Sequence, residues 1–464
     1  MNSSPNTQKS RALTVVVLIL LVAAVAVVWL YWGREPGGGG VASSTPKSST
    51  TLRVALFKSP AVDAAQKLIP EFEAQTGIRV DLDILPYAEL QDVVQTEFLA
   101  RSPRFDIVMA DCIWIPKFAD AGYLGEIDRY LRDPALTPKD YNYEDLIPSV
   151  ADYLGKYPAR GKTYGFPFMT NSHVLAYRED LYVKYLQPKG FRRPGTTPET
   201  AWTWDEYLRA AEVLTMPNAK LPGGTQWGSS MQAKAGAWLV YEWYSWLYGF
   251  GGKDIDYSIM RPMFDSPASV DAIRQYASMV GKVAPRSVLS WGHEEETQAL
   301  GSGLAAMDAT WNVELTGYLL DPSTSPHAKD FKFGLSPVGR SGKPTPDMGG
   351  YGILLSKFST HPQDAYRLMV WLTSPAVHRR IVLDGGTPFR YSEMKDPEIL
   401  KKYQVYSIYG IALENSVYRA RVPQWPEIED IISKELTPVM EGRSNPKEAG
   451  ALMTKKIEPL LPKR

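Results

Sequence analysis

The sequence predicts an α/β fold in two lobes, preceded by an N-terminal segment long and apolar enough to span a membrane. The chain has 464 residues, beyond the size at which a single hydrophobic core keeps growing. Its composition, 44% hydrophobic and 22% charged, is that of a folded protein rather than a disordered one. Over residues 52–110 the apolar positions switch between period two and helical spacing in the order βαβαβ, the pattern of a parallel sheet covered by helices.

Ala12 to Tyr31 form an apolar run of 20 residues interrupted only by Thr14. At about 1.5 Å per residue this helix matches a hydrocarbon core of about 30 Å. Lys9 and Arg11 precede the run, which keeps the N-terminus cytoplasmic, and Trp29, Tyr31 and Trp32 fall at the far interface. Residues 1–32 therefore read as a transmembrane anchor, placing everything after residue 33 on the extracytoplasmic face. The alternative, a cleaved signal that would leave the protein secreted or periplasmic, has a shorter apolar region and a small-x-small site. Here the run ends Val-Val-Trp-Leu-Tyr-Trp. Residues 33–50, rich in Gly, Ser and Pro, read as a flexible tether.

The folded part begins with a strand over Leu52 to Phe57. Ala65, Leu68, Ile69 and Phe72 then recur at helical spacing up to Gly77, with a kink or break expected at Pro70. Ile78, Val80, Leu82 and Ile84 alternate as a strand, Leu90, Val93, Val94 and Phe98 return to a helix, and Phe105 to Ala110 is an apolar strand. Ligands of such sheets bind beyond the C-terminal strand ends, which puts Lys58, Ser59 and Asp111 at the right edge. Further on, a turn at GKTYG leads into a strand and a helix start. Thr203 and Glu206 form a capping box and carry no binding role. Residues 235–252 form an aromatic-dense helix ending at a Gly pair, His361 to Thr373 form another helix, and Pro423 to Pro426 are an extended break before the final helices.

Several functions are excluded. Lys plus Arg and Asp plus Glu both total 51, so there is no basic excess for nucleic acid. The single cysteine, Cys112, permits no intrachain disulfide and reads as a small buried hydrophobe. The five histidines show no metal-binding or general-base spacing, and no glycine fingerprint for a dinucleotide follows the first strand, so no cofactor and no metal are expected.

The phrases EFEAQTGIRV, FDIVMAD with a following Trp and FADAGYL, GKTYGFP, AYREDLY, TWDEYLRAA, GLAAMDATW, GGYGILLSKFSTHPQDAYRLMVWLTSP and NPKEAGALM, in that order, cover nearly everything after residue 51. In order and spacing the chain resembles the extracellular solute-binding protein family 1, the maltose-binding-protein-like sugar receptors of ABC importers. The resemblance implies a type II periplasmic-binding-protein-like fold, with two doubly wound sheets joined by a multi-segment hinge. Its crossings would fall near Phe166 to Phe168, Gly350 to Ile353 and Val422 to Gln424. The N-lobe would be 51–167 plus 351–421, and the C-lobe 168–350 plus 422–464. The family's lipid-accepting Cys is missing, which favours the anchored form.

On this resemblance the protein is no enzyme. It would capture a carbohydrate, a di- or oligosaccharide, between two closing lobes and deliver it to ABC permease subunits with their ATPase. A sugar site needs aromatic plates and a few charged or amide groups. Asp111 and Trp114 follow the third strand, with Asp111 alternatively a helix N-cap. Trp311 matches the family's Trp after the GLAAM phrase, or else packs within its lobe. Trp238 and Tyr241 share one side of the aromatic helix, most of whose rings must be core. Gly350 and Tyr351 sit at one crossover, Arg421 and Trp425 flank the last, and Tyr164 and Asn171 flank the first. Two other functions remain open, a membrane-tethered ligand sensor and an extracellular glycan-acting enzyme, although no motif pairs an acid with a nucleophile.

Overall fold

The computed structural model describes residues 50–462, apart from 217, 218, 220, 222, 223 and 312–316. The apolar segment 12–31 and nearly all of the tether lie outside the described residues. Among the described residues no helix is long and apolar enough to cross a membrane.

Strand β1 (Thr51–Phe57) is followed by helix α1 (Pro60–Thr76), β2 (Arg79–Leu85), α2 (Tyr87–Leu99) and β3 (Ile107–Asp111). β1 pairs in parallel with both β2 and β3. Ser59 caps α1 by accepting a hydrogen bond from the Val62 N–H, and Gly77 closes it in the left-handed region at φ 74°. The break expected at Pro70 does not occur. Pro70 faces solvent, so water can satisfy the carbonyl that loses its partner, while Leu68, Ile69 and Phe72 hold the other face against the core.

The chain continues through α3 (Pro148–Gly155) into the 14-residue strand β4 (Gly165–Arg178). The second lobe is then built from α4 (Trp204–Val213), β5 (Trp227–Ser229), α5 (Ala237–Gly249), α6 (Pro267–Ser278), α7 (His293–Gly301), β6 (Ala305–Trp311) and β7 (Phe331–Leu335). β8 (Met348–Leu355), α8 (Pro362–Thr373), α9 (Pro375–Leu383) and α10 (Tyr406–Glu414) return to the first lobe. α11 (Trp425–Met440) and α12 (Pro446–Ile457) pack on the second. Residues 423–426 are thus not an extended break: Trp425 and Pro426 open α11, where a proline lacking its N–H costs nothing.

The sheets are not separate. One continuous path runs β2-β1-β3-β8-β4-β6-β5, with β7 also on β4. Gly165 to Ser172 of β4 pair with β8, whereas His173 to Tyr177 pair with β6 and Val174 to Arg178 with β7. The change of partner between Ser172 and His173 lies several residues beyond the crossing expected near Phe166 to Phe168. The apolar cores divide nearby: Val174 and Met348 belong to one, Leu175, Ala420 and Val422 to the other. A bulge opposite Tyr351 and Gly352 puts Pro167, Phe168 and Met169 of β4 against those two residues, a position where a proline's missing donor is tolerated.

The capping box at the start of α4 is present. The Thr203 hydroxyl accepts from the Glu206 N–H at 3.1 Å, and the Glu206 carboxylate accepts from the Thr203 N–H at 2.8 Å. The Arg192 guanidinium, then Thr203, hold the Glu206 carboxyl down to about 2. A depressed folded-state value means that its contribution is complete above the ordinary 4.5 and lost as the pH falls through about 2. Glu206→Ala should therefore destabilise the protein by about 1 kcal/mol at neutral pH, and urea titrations should show the gap from wild type closing between pH 4.5 and about 2.

Candidate ligand-binding site

A cavity of about 420 Å³ opens where the halves of the sheet meet. The first lobe contributes Phe57 from the end of β1, Tyr87 from the first turn of α2 and Asp111 from the end of β3. β4 contributes Met169 to Asn171, and β8 contributes Gly349 to Tyr351. The second lobe contributes Ala237, Trp238 and Tyr241 from the start of α5 and Trp311 from the end of β6. Arg419 completes the lining. Strand ends and helix starts converge here because β1 and β3 run parallel and stop at the same edge.

Aromatic rings form two walls. On one, Phe57 stacks on Tyr351 with centroids 5.1 Å apart, and Tyr87 meets both edge-on at 6.0 and 6.3 Å. On the other, Trp238 and Tyr241 meet at 6.1 Å, and Trp311 is braced edge-on by His173 at 4.1 Å. Burial, then Arg419, pushes the His173 imidazole well below its usual range, so it is neutral at pH 7, and its Nδ1 pairs with the Ser245 hydroxyl at 2.8 Å. Trp238 is 42% exposed, an unusual position for a large ring.

Polar groups are few and aimed. Asp111 Oδ2 accepts from the Tyr87 hydroxyl at 3.0 Å, and Oδ1 accepts from the Cys112 thiol and the Ile113 N–H. Asp111 is therefore held in place while still lining the cavity. Among the described residues the Trp311 Nε1–H and Asn171 Oδ1 are buried with no hydrogen-bond partner, one donor and one acceptor available to a ligand. Arg419, 3% exposed, donates to the Met348 carbonyl at 2.7 Å and lies over the Tyr241 ring at 4.1 Å. Behind it stands Asp347, its Oδ2 3.3 Å from Arg419 Nε. Burial outweighs the guanidinium and pushes the Asp347 carboxyl up to about 7. Burial, then Asp111, raises the Cys112 thiol, which makes it a poor nucleophile.

Asn171 lines this cavity and Tyr164 does not; of the nine other candidate residues six line it: Asp111, Trp238, Tyr241, Trp311, Gly350 and Tyr351. Gly350 has φ 135°, and a Cβ there would lie 2.5 Å from the Met169 carbonyl, so only glycine permits the approach of β8 to β4. The other three do not line it. Trp114 is 4% exposed and packs behind Tyr87, with centroids 5.1 Å apart, because the turn after β3 directs it into the core. Trp425 is fully buried in α11. Its Nε1–H donates to Glu429 at 2.8 Å, and Glu429 in turn hydrogen-bonds Tyr241, so Trp425 only supports the wall. Arg421 turns away, binding the carbonyls of Tyr153 and Lys156 and lining a second cavity of about 680 Å³, which Arg419 also borders. Ser59 serves as a helix cap.

Sequence reasoning missed Phe57, Tyr87, Met169 and Arg419. The order VYRARV contains two arginines, and nothing local distinguishes Arg419 from Arg421. Phe57 carried a signal, since it ends a parallel strand. Tyr87 opens a helix after a Pro and carried none.

Comparisons with known proteins place the chain in a family and a fold. Residues 58–379, more than half of the chain, match the family model described as bacterial extracellular solute-binding protein. A probable amino-acid ABC transporter periplasmic-binding protein of Sinorhizobium fredii is 26% identical over 427 residues, 90% of each chain. A solute-binding protein of an Agrobacterium radiobacter ABC transporter, solved with ribitol, has a TM-score of 0.74 at 25% identity, covering 89% of this chain and all of its own. Maltose-bound MalE3 of T. maritima has a TM-score of 0.73 at 22% identity with the same coverage.

Removing Arg419 leaves Asp347 buried without its partner. Arg419→Met should lower stability by about 3–5 kcal/mol at pH 8, measured by urea unfolding followed through tryptophan fluorescence.

Proposed function

The chain belongs to the bacterial extracellular solute-binding protein family, and we propose that it is the receptor of an ABC importer for a polyol or small carbohydrate. The observation that carries this reading is the cavity with aromatic walls on both sides and Asp111, Asn171, Trp311 Nε1 and Arg419 between them. Sugars and polyols present apolar C–H faces and hydroxyl edges, and this lining meets both. The volume of about 420 Å³ lies toward the small end of ligand pockets, about 300–1,000 Å³. That favours ligands from a five-carbon polyol to a disaccharide over longer chains.

The ligand would stack between the two walls, with Asp111 accepting from hydroxyls and Arg419 donating to them. Because the walls belong to different lobes, a ligand touching both stabilises the closed form, which the permease would recognise. We take the lobes as 51–172 with 348–416, and 173–347 with 417–462. Asp111 is the single carboxylate among the described residues of the lining. Glycoside hydrolysis needs two, which supports binding rather than catalysis. The apolar segment 12–31 would hold the receptor at the extracytoplasmic face.

Asp111 and Arg419 on one cavity also suit the ammonium and carboxylate of an amino acid, the ligand class in the name of the Sinorhizobium relative. Calorimetry with the full chain distinguishes the two. Ribitol, mannitol, maltose or another small carbohydrate should bind, and Trp311→Ala and Asp111→Asn should each weaken it at least about tenfold, or about 1.4 kcal/mol. Binding of amino acids alone would replace the carbohydrate reading. Full affinity in a Trp311→Ala/Asp111→Ala double variant would remove this cavity from consideration. For the anchor, the full chain should sediment with membranes and a variant lacking residues 1–33 should not.

A further inference from the structure

Behind the second-lobe wall of the cavity lies a cluster that ligand capture does not use. Glu242 comes from α5, Glu296 from α7 and Asp308 from β6, and none is more than 2% exposed. One carboxylate oxygen from each can be chosen so that all three lie within 4.8 Å of one another. Gln232 and Thr310, both fully buried, close the group. The Gln232 Nε2 donates to Glu296 at 2.5 Å and to the Thr310 hydroxyl at 3.2 Å. The Gln232 N–H donates to Glu242, the Tyr276 hydroxyl donates to Glu242, and the Ser230 hydroxyl donates to Asp308.

These donors do not balance three carboxylates. No lysine or arginine pairs with them among the described residues; the basic group beside them is His293, whose Nδ1 lies 3.5 Å from Glu296. Burial and then mutual repulsion from Glu296 push the Glu242 and Asp308 carboxyls well above their usual range. One oxygen is also left over. Among the described residues Gln232 Oε1 is buried with no hydrogen-bond partner, whereas Glu296 hydrogen-bonds the Asp308 carboxyl. A fully buried amide whose other atom already touches Glu296 thus presents an unused acceptor beside three acids. What an excess of buried oxygen acceptors lacks is a positive charge.

We propose that Glu242, Glu296 and Asp308, with the Gln232 amide oxygen, hold a calcium ion. The donors are all oxygen, which suits a hard cation rather than zinc or copper. The site is fully buried, which disfavours magnesium, because magnesium keeps several waters. A triangle of oxygens at the widest spacing puts its centre about 2.8 Å from each, so a small contraction reaches calcium–oxygen distances of about 2.3–2.6 Å. Bound there, the ion ties α5, which carries Trp238 and Tyr241, to β6, which carries Trp311, so it would make the second-lobe wall rigid before any ligand arrives. Full burial means that the ion enters as the lobe folds and exchanges slowly.

Elemental analysis of the full chain, purified in calcium and dialysed without chelator, should find about one calcium per chain. After unfolding in urea with EDTA, refolding with calcium should give a midpoint temperature several degrees above refolding without it, and magnesium should not substitute. Asp308→Asn and Glu296→Gln should each lose the bound calcium and the calcium-dependent shift. Wild-type protein free of calcium, with the same midpoint after refolding in calcium or EDTA, would overturn the proposal in favour of carboxyls sharing protons. A different metal at one per chain, or calcium retained by both variants, would overturn the calcium assignment. None of these readouts depends on the identity of the captured ligand.

Discussion

The constraint on which the rest of the molecule depends is the shared strand β4. Its first half completes the sheet of one lobe and its second half completes that of the other, so neither sheet is satisfied without it. Pairing fixes the register of β8 and β6 against the same strand, and with it the places where Gly350, Tyr351 and Trp311 emerge. The cavity lies where the partner changes, because the strand ends of both halves face that junction. A glycine at 350 and a bulge opposite Tyr351 and Gly352 allow β8 to approach β4 there.

The junction is charged as well as paired. Arg419, reaching back from the last crossing, is held by the Met348 carbonyl and faces Asp347 and the Tyr241 ring. One guanidinium therefore touches the hinge and both the polar and the aromatic parts of the cavity. On the proposed function, a ligand hydroxyl that engaged Arg419 would bear on the same group that holds β8 to the crossing. The second-lobe wall is braced independently by Glu429 and Trp425 behind Tyr241 and by His173 behind Trp311. Rings with such support lose little further freedom on binding.

Much of the first lobe was legible because its signals are local. Alternation at Val80, Leu82 and Ile84 and helical spacing at Leu68, Ile69 and Phe72 are short-range consequences of backbone geometry, as is the capping box at Thr203 in the second lobe. At Pro70 the local rule predicts a kink or a break, and the helix runs on unbroken because that residue lies on its solvent-exposed face. The change of partner between Ser172 and His173 was not legible because a 14-residue strand serving two partners looks no different in sequence from one serving a single partner. Of the site, Asp111 was readable from its place at a strand end, and Trp238 and Tyr241 from helical spacing. Which side of α5 faced the cavity, and that Trp425 and Trp114 stand behind the walls, depended on neighbours distant in the chain.

By itself the sequence determined the α/β class, the order of the elements in the first lobe, the balance of its charges and the aromatic density of residues 235–252. Each follows from composition or from periodicities spanning a few residues. Only the tertiary structure decided that Arg419 rather than Arg421 reaches the cavity, that seven of the eleven expected residues share it, and that Glu242, Glu296 and Asp308 meet in the interior. The physical reason is the same in each case. These groups come from elements dozens to hundreds of residues apart, and the pairing of β4 with its several partner strands is what brings them together.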